Sequence, residues 1–388
     1  MNPPLGARPL VLVIVWRLSV GGGVQTVLRS VLAGLSQDRY DTHVLVVRPP
    51  LEEDRLTDFP HATFHTLGLP RSSRFGLLTK VRLSLRMSLL VCRLRPNVVH
   101  LQSGTSMYAA LGTVLTRTRV KLLDVHDAPR SGRHGRASDW LEGQLIRRGR
   151  HIAVAHSTSV QADLRAHYGL VDEQTRLVPL GVGTGHFADA VVGAQEWRLG
   201  AGLPSDALVV VYVARLAPTK NVPLFLEVMA DVIAADPDSP VHGVVISGGS
   251  ERDRLTALAD DLGLAGRAHL IGTRTGIDLV DAYRAADVFL STSDYEGFGL
   301  AIVEAMAAGV PVVSTAVGGV TDTVEDEVTG FLRPPGDRAG LAEAVTRLLR
   351  DPELRQRLGA AGRARAESRF TAAHMVQGYL DVYDEARR

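Results

Sequence analysis

A chain of 388 residues exceeds the size at which one hydrophobic core keeps growing, so two domains of ordinary size are expected. With 45% hydrophobic and 22% charged residues the chain is globular rather than disordered, and no apolar run reaches the roughly 18 to 20 residues that cross a bilayer. The one cysteine, Cys92, excludes an internal disulfide and a cysteine-held metal cluster, which fits a cytoplasmic protein. A net charge of +1 hides an imbalance: residues 1–188 hold 24 Lys and Arg against 13 Asp and Glu, leaving 19 against 29 for the rest. Halves of opposite sign point to two domains with different partners.

The first apolar run, "RPLVLVIVW", has the look of a short signal sequence behind Arg8. It passes into "RLSVGGGVQ" without a small-residue cleavage pattern, and reads instead as a first buried strand. Gly21, Gly22 and Gly23 then join that strand to the helical pattern "GVQTVLRSVLAGL". Bare amides at a helix start favour an anion; a tight turn needing positive φ is the plainer alternative. The dinucleotide fingerprint fails here, because its third glycine position is Thr26 and the second strand ends in Arg48 rather than an acid. No GxxxxGK[ST] occurs, so a P-loop is excluded.

Strand patterns continue with "THVLVV", "NVVHL", "KLLDV" and "HIAVA", interleaved with helical patterns such as "STSVQADLRAHYGL", and this alternation implies a parallel sheet covered on both faces. Residues 71–95 carry six Arg and one Lys with no acid. There Leu78, Val81, Leu85 and Leu89 form an apolar stripe, with Arg82, Arg86 and Arg93 on one flank. Two readings stand: peripheral contact with anionic lipid, or an ordinary surface helix packing its stripe on the sheet. "RSGRHGR", residues 130–136, adds positive charge suited to an anionic acceptor. Aromatics do not interleave with these cations, so no nucleic-acid partner is expected.

The alternation pauses over residues 183–206, read as a linker, then resumes with "ALVVVYVARL", "VHGVVISGG", "RAHLIGT", "ADVFLST" and "VPVVST". Two doubly wound α/β domains in tandem follow, with a cleft between them as the expected ligand site. Arg215 and Lys220 fall on the loop of "VYVARLAPTKN", where they suit a diphosphate or are simply solvated. In "DYEGFGLAIVEAMAAG", Phe298, Gly299 and Leu300 open a helix whose amides point outward at its positive end. Glu304 lies about one turn further in, where a buried carboxylate must be satisfied. A vicinal diol such as a ribose supplies two donors; a helix-dipole role or a salt bridge is the alternative. Glu296 stays on the loop. The tail "FTAAHMVQGYLDVYDEA" reads as a last helix.

These motifs resemble a retaining glycosyltransferase of the GT-B fold, in the large family 4. The resemblance covers nearly the whole chain through "GGGVQTVLRSVLAGL", "RPNVVHLQ", "VPLGVGTGHF", "VARLAPTKN", "VTGFLRPPGD" and, most specifically, the E-x7-E of "EGFGLAIVE". It implies an α/β fold of two Rossmann-like domains facing each other across a cleft. Residues 1–187 would form the acceptor-binding domain and 188–370 the donor-binding domain, with the helix 371–388 crossing back to the first. Arg215 and Lys220 would hold the donor diphosphate, with Gly22, Gly23 and the Phe298–Leu300 turn beside them. Glu304 would hold the ribose, and Glu296 the hydroxyls of the transferred sugar. His126, in "KLLDVHDAPR", becomes the histidine near the reacting sugar, and Gln25, Arg130 and Arg133 the acceptor-side candidates. Where many relatives read Asn-Gly-Val-Asp, this chain has Leu180-Gly181-Val182-Gly183, so contacts from that Asn or Asp are missing.

The resemblance implies transfer of a sugar from a nucleoside-diphosphate sugar to an acceptor hydroxyl with retention, by front-face displacement. No cofactor and no metal are expected if side chains neutralise the leaving diphosphate. Products would be glycolipids, cell-surface polysaccharides or glycosylated metabolites, made in the cytoplasm or at the inner face of the membrane. The rival readings are a nucleotide-sugar 2-epimerase and a non-catalytic nucleotide-sugar-binding protein on the same fold.

Overall fold

The computed structural model describes residues 8–18, 23–48, 56–67, 77–102, 109, 113, 116, 118, 120–125, 143, 144, 146, 147, 151–188 and 193–385. The first described element is β1 (Leu10–Val15), whose positions from Val11 onward are all buried, as a strand covered on both faces must be. Helix α1 (Gly23–Gly34) turns Val27, Leu28, Val31 and Leu32 inward, one stripe at helical spacing. There follow β2 (Asp41–Val46), β3 (Ala62–Thr66), α2 (Leu77–Leu94), β4 (Val98–Gln102), β5 (Val120–Val125), β6 (Ile152–Ala155), α3 (Thr158–Tyr168) and β7 (Thr175–Leu177). Helix α3 is bounded by local chemistry. The Ser157 side chain accepts from the Val160 amide, and Gly169 at φ 64° returns its amide to the Arg165 carbonyl. The seven strands form one parallel sheet in the order β3-β2-β1-β4-β5-β6-β7.

The second half contains α4 (Gly193–Gly200), β8 (Leu208–Val213), α5 (Val222–Ala234), β9 (Val241–Ile246), α6 (Arg252–Asp261), β10 (Ala268–Leu270), α7 (Ile277–Arg284), β11 (Val288–Ser291), α8 (Leu300–Ala307), β12 (Val312–Thr315), β13 (Gly330–Arg333), α9 (Arg338–Arg350) and α10 (Pro352–Arg369), and α11 (Ala372–Asp384) is the last described helix. Its six strands are parallel in the order β10-β9-β8-β11-β12-β13.

Contacts divide the chain into two units, Met1–Pro179 with Ala373–Arg388, and Leu180–Ala372. The division falls ahead of the sequence boundary after 187 because the Val182 backbone belongs to the second unit. Its amide donates to Phe370 O at 2.9 Å, and Ala372 returns a bond to Val182 O at 2.8 Å. Residues 183–206 are not a bare linker: α4 lies inside them, Trp197 is buried, and Arg198 binds the carbonyls of Ala285 and Ala207 and the Asp287 carboxylate. Helix α11 joins the first unit through a buried polar cluster. Tyr379 donates to Asp124 at 2.9 Å, His156 Nε2 lies 2.8 Å from the same carboxylate oxygen, and Tyr383 Oη is 2.6 Å from His100 Nδ1.

One of the two readings of residues 71–95 is overturned. Leu78, Val81, Leu85 and Leu89 do not pack on the sheet; α2 buries Leu83, Met87 and Val91 instead, which occupy the opposite face of the helix.

Candidate functional site

In the second unit the strand order reverses between β8 and β11, which are hydrogen-bonded neighbours with Val288 opposite Val210. Ligands of open parallel sheets lie outside the carboxyl ends of strands at such a point. The loop after β8 carries Arg215 and Lys220; the loop after β11 carries Thr292, Ser293, Asp294 and Glu296. These loops are tied together. Asp294 N donates to Thr219 O at 2.9 Å, Asn221 Nδ2 to Asp294 Oδ1 at 3.0 Å, and Thr292 Oγ1 to Asn221 O at 2.9 Å. Asn221 adopts φ 43°, which Asn tolerates, and its side chain accepts from Leu224 N at the start of α5.

Glu296 is the centre of this loop pair. Its Oε1 receives Lys220 Nζ at 2.6 Å and Ser293 Oγ at 2.8 Å, so Lys220 is no freely solvated cation. Buried Tyr212 braces both partners, donating to Lys220 O at 2.7 Å and lying 2.8 Å from Ser293 Oγ. Burial, and then the Glu296 charge, push the Tyr212 hydroxyl above its ordinary range. The Glu296 backbone is fixed from the far side by the Gly319 amide at 2.9 Å. Gly318, at φ 50°, must lack a side chain, since a Cβ there would stand 2.0 Å from Glu296 O.

Glu304 sits in the second turn of α8, whose cap Gly299 takes φ 92°. Ile302, Val303, Ala305 and Met306 around it are buried, while Glu304 keeps part of its surface open. Its partner is neutral: Tyr283 Oη donates to Oε2 at 2.7 Å. Removal from water pushes the carboxyl up to about 7, against a smaller lowering by that hydrogen bond. No cation pairs with Glu304 among the described residues. Each carboxylate thus has one oxygen tethered, while Glu304 Oε1 and Glu296 Oε2 have no partner among the described residues and are not sealed from solvent. Such a pair can accept hydrogen bonds from hydroxyls of a polyol.

Of the residues singled out from sequence, Lys220, Glu296, Gly299, Leu300 and Glu304 lie at this edge of the second unit. Arg215 is exposed on the same loop, its side chain without a partner among the described residues. The Phe298 side chain is 4% exposed and packs edge-on against Phe370 at 5.6 Å, which leaves its backbone to face a ligand. In the first unit Gly23 is exposed at the start of α1, and Gln25 is partly buried with its Oε1 sealed and unpartnered among the described residues. Gly22, His126, Arg130 and Arg133 lie outside the described residues. Sequence reasoning missed Tyr283, Tyr212 and Ser293. Ser293 stood three positions before Glu296, but nothing in the spacing marks Tyr283.

The fold and this site define a two-domain, doubly wound α/β protein of the GT-B class with two carboxylates, Glu296 and Glu304, at the strand-order reversal of its second domain. The profile for glycosyl transferases group 1 matches residues 194–365 and that for the glycosyl transferase 4-like domain matches 22–181, and the chain belongs to this glycosyltransferase family, family 4. It is 34% identical over 253 residues to a D-inositol 3-phosphate glycosyltransferase of Saccharomonospora viridis, covering 63% of this chain and 58% of that protein. The corresponding protein of Acidothermus cellulolyticus is 38% identical over 226 residues, 56% of this chain and 50% of that one. The match thus spans little more than half the length of these curated relatives. Among solved structures, Anabaena HepE in complex with UDP and glucose superposes with a TM-score of 0.81 at 22% identity, over 96% of this chain and 99% of that one. A sucrose-phosphate synthase from Thermosynechococcus elongatus gives 0.81 at 24% identity, over 97% and 98%. These likenesses are of fold.

Proposed function

We propose that the chain is a retaining glycosyltransferase that moves a sugar from a nucleoside-diphosphate sugar to the hydroxyl of an anionic acceptor. The observation that carries the reading is the pair of half-tethered carboxylates at the strand-order reversal. Glu304 Oε1 would take the ribose diol, and Glu296 Oε2 the hydroxyls of the transferred sugar. Arg215, the Lys220 ammonium and the first-turn amides of α8 would receive the diphosphate. A uridine nucleotide is the first donor to try, since HepE was crystallised with UDP and glucose. The positive first half of the chain favours an acceptor bearing phosphate, in keeping with the inositol phosphate named for the curated relatives.

In the reaction so proposed, the bond from the anomeric carbon to the diphosphate oxygen breaks as the bond to the acceptor oxygen forms on the same face. The acceptor proton passes to the departing diphosphate. Side-chain and backbone charge at the leaving group is the largest contribution to catalysis, without a metal. His126 would stand near the reacting sugar. The site of action proposed is the cytoplasm and its membrane face.

The test is donor turnover with and without an inositol phosphate acceptor, followed by assignment of the product's anomeric configuration. Retention in an acceptor-dependent product supports the reading. Inversion, epimerised donor, or nucleotide binding with no turnover would each replace it. Glu304→Ala should weaken nucleotide affinity, whereas Glu296→Ala should mainly lower kcat. Equal affinity of wild type and Glu304→Ala for the nucleoside diphosphate contradicts the ribose assignment.

A further inference from the structure

Helix α2 is apolar on two opposite sides. Leu83, Met87 and Val91 are fully buried in the first unit's core. Leu78, Val81, Leu85 and Leu89 face the other way, at 76%, 49%, 51% and 68% exposed, which is unusual for four aligned aliphatic side chains in a water-soluble helix. At about 100° per residue these four fall within an arc of roughly 80°, and Arg82, Arg93 and Arg86 follow along one border. Lys80 is the remaining charge; the helix contains no Asp or Glu. Arg86 donates to Leu67 O, which holds its stem beside the stripe.

We propose that this outward face of α2 docks on a bilayer surface rich in anionic lipid. The four apolar side chains enter the headgroup region while Arg82, Arg86 and Arg93 meet lipid phosphates. The charge pattern decides against a second copy of the chain as occupant: across a two-fold axis these cations would face their own kind, with no acid on the helix to answer them. Size decides the same way, since a stripe about 16 Å long and one helix, about 10 Å, wide covers on the order of 160 Å², well short of the roughly 800 Å² per partner of a stable interface. No helix among the described residues is long and apolar enough to cross a membrane, so contact is along the helix rather than through the bilayer. The inference stands on α2 alone and is independent of the transfer reaction.

The test is co-sedimentation of the purified full chain with vesicles of equimolar phosphatidylglycerol and phosphatidylcholine, and with vesicles of phosphatidylcholine alone. Wild type should bind the anionic vesicles at least about tenfold more strongly, and lose binding as salt is raised. Arg82→Gln with Arg86→Gln should lower the partition coefficient about 25-fold, roughly fivefold for each cation. Leu85→Gln with Leu89→Gln should abolish binding; both sites are exposed, and Leu78→Gln with Leu89→Gln serves if the first pair does not fold. Failure of wild type to bind, equal binding to both vesicles, or no change in the variants overturns the proposal. So does a concentration-dependent dimer that the leucine variants dissolve. None of these outcomes touches the turnover assay.

Discussion

Replacing Glu304 by Gln should make the unliganded protein more stable while weakening its hold on a nucleotide. In the folded state burial displaces the Glu304 carboxyl from the ordinary 4.5 to about 7, so the folded protein binds a proton more tightly than the unfolded chain does. The sign follows: a raised folded value contributes stability that is fully present below about pH 4.5 and is lost as the pH rises through about 7. At about 1.4 kcal/mol per pH unit, the span from 4.5 to about 7 corresponds to a loss of about 3 kcal/mol by pH 8 or so. The amide in the Glu304→Gln variant carries no charge and could still accept from the Tyr283 hydroxyl, so the variant escapes that loss. The assay is urea unfolding of wild type and Glu304→Gln at several values between about pH 5 and pH 8, without nucleotide. The two should be nearly equal in acid, with the variant ahead by about 2–3 kcal/mol at the alkaline end. Equal stability throughout, or a gap that does not grow with pH, refutes the claim that this carboxylate is held out of water at a cost.

Tyr283→Phe removes the hydrogen bond to the Glu304 carboxylate and should raise the donor KM about tenfold, consistent with about 1.5 kcal/mol for a bond to a charged group, with a smaller change in kcat; steady-state kinetics reads it. Gly318→Ala drives a Cβ into Glu296 O and should lower kcat at least about tenfold, with a stability loss of about 2 kcal/mol by urea titration. His242, 6% exposed and beside His269, is held down at about 4 by burial first and the neighbouring ring second. Its stabilising contribution is present above about pH 6.5 and lost as the pH falls toward about 4, so His242→Asn should flatten the acid limb of the stability profile by about 1–3 kcal/mol. Asp124→Ala leaves His156 without its carboxylate and should release α11, seen as faster amide exchange over Ala372–Asp384 and a loss of about 3 kcal/mol.

The parts of the fold that could be read from sequence are those where burial dictates composition. β1 is covered on both faces and so appears as an unbroken run of Val, Leu and Ile, and β8 departs from such a run only at Tyr212. β3, with the pattern Ala-Thr-Phe-His-Thr at a sheet edge, and the three-residue β7 carry no such signature, because edge strands are half-solvated and short. Helix α4 was hidden for another reason: Gly193 and Gly200 at its ends resemble linker punctuation, and its anchors are a single buried side chain, Trp197, and the bonds of Arg198. At the candidate site, Glu296, Glu304 and Lys220 were legible because charges stand out against apolar surroundings. Tyr283 was not, since a buried tyrosine on α7 looks like core until the sheet brings its hydroxyl to Glu304. The α2 stripe was visible as a pattern, but sequence periodicity alone could not say which of the helix's two apolar sides meets the sheet.

The second unit is an insertion in the first, since the chain leaves the first after Pro179 and rejoins it at Ala373. During synthesis from the amino end, the inserted domain is therefore complete before its host. Asp124 and His100 must wait for Tyr379 and Tyr383, made only after the whole inserted unit, so the nascent host domain keeps an unfilled polar slot until α11 has been synthesised. Chains cut short before α11 would thus carry the two carboxylates of a finished inserted unit beside a host sheet still waiting for its tyrosines.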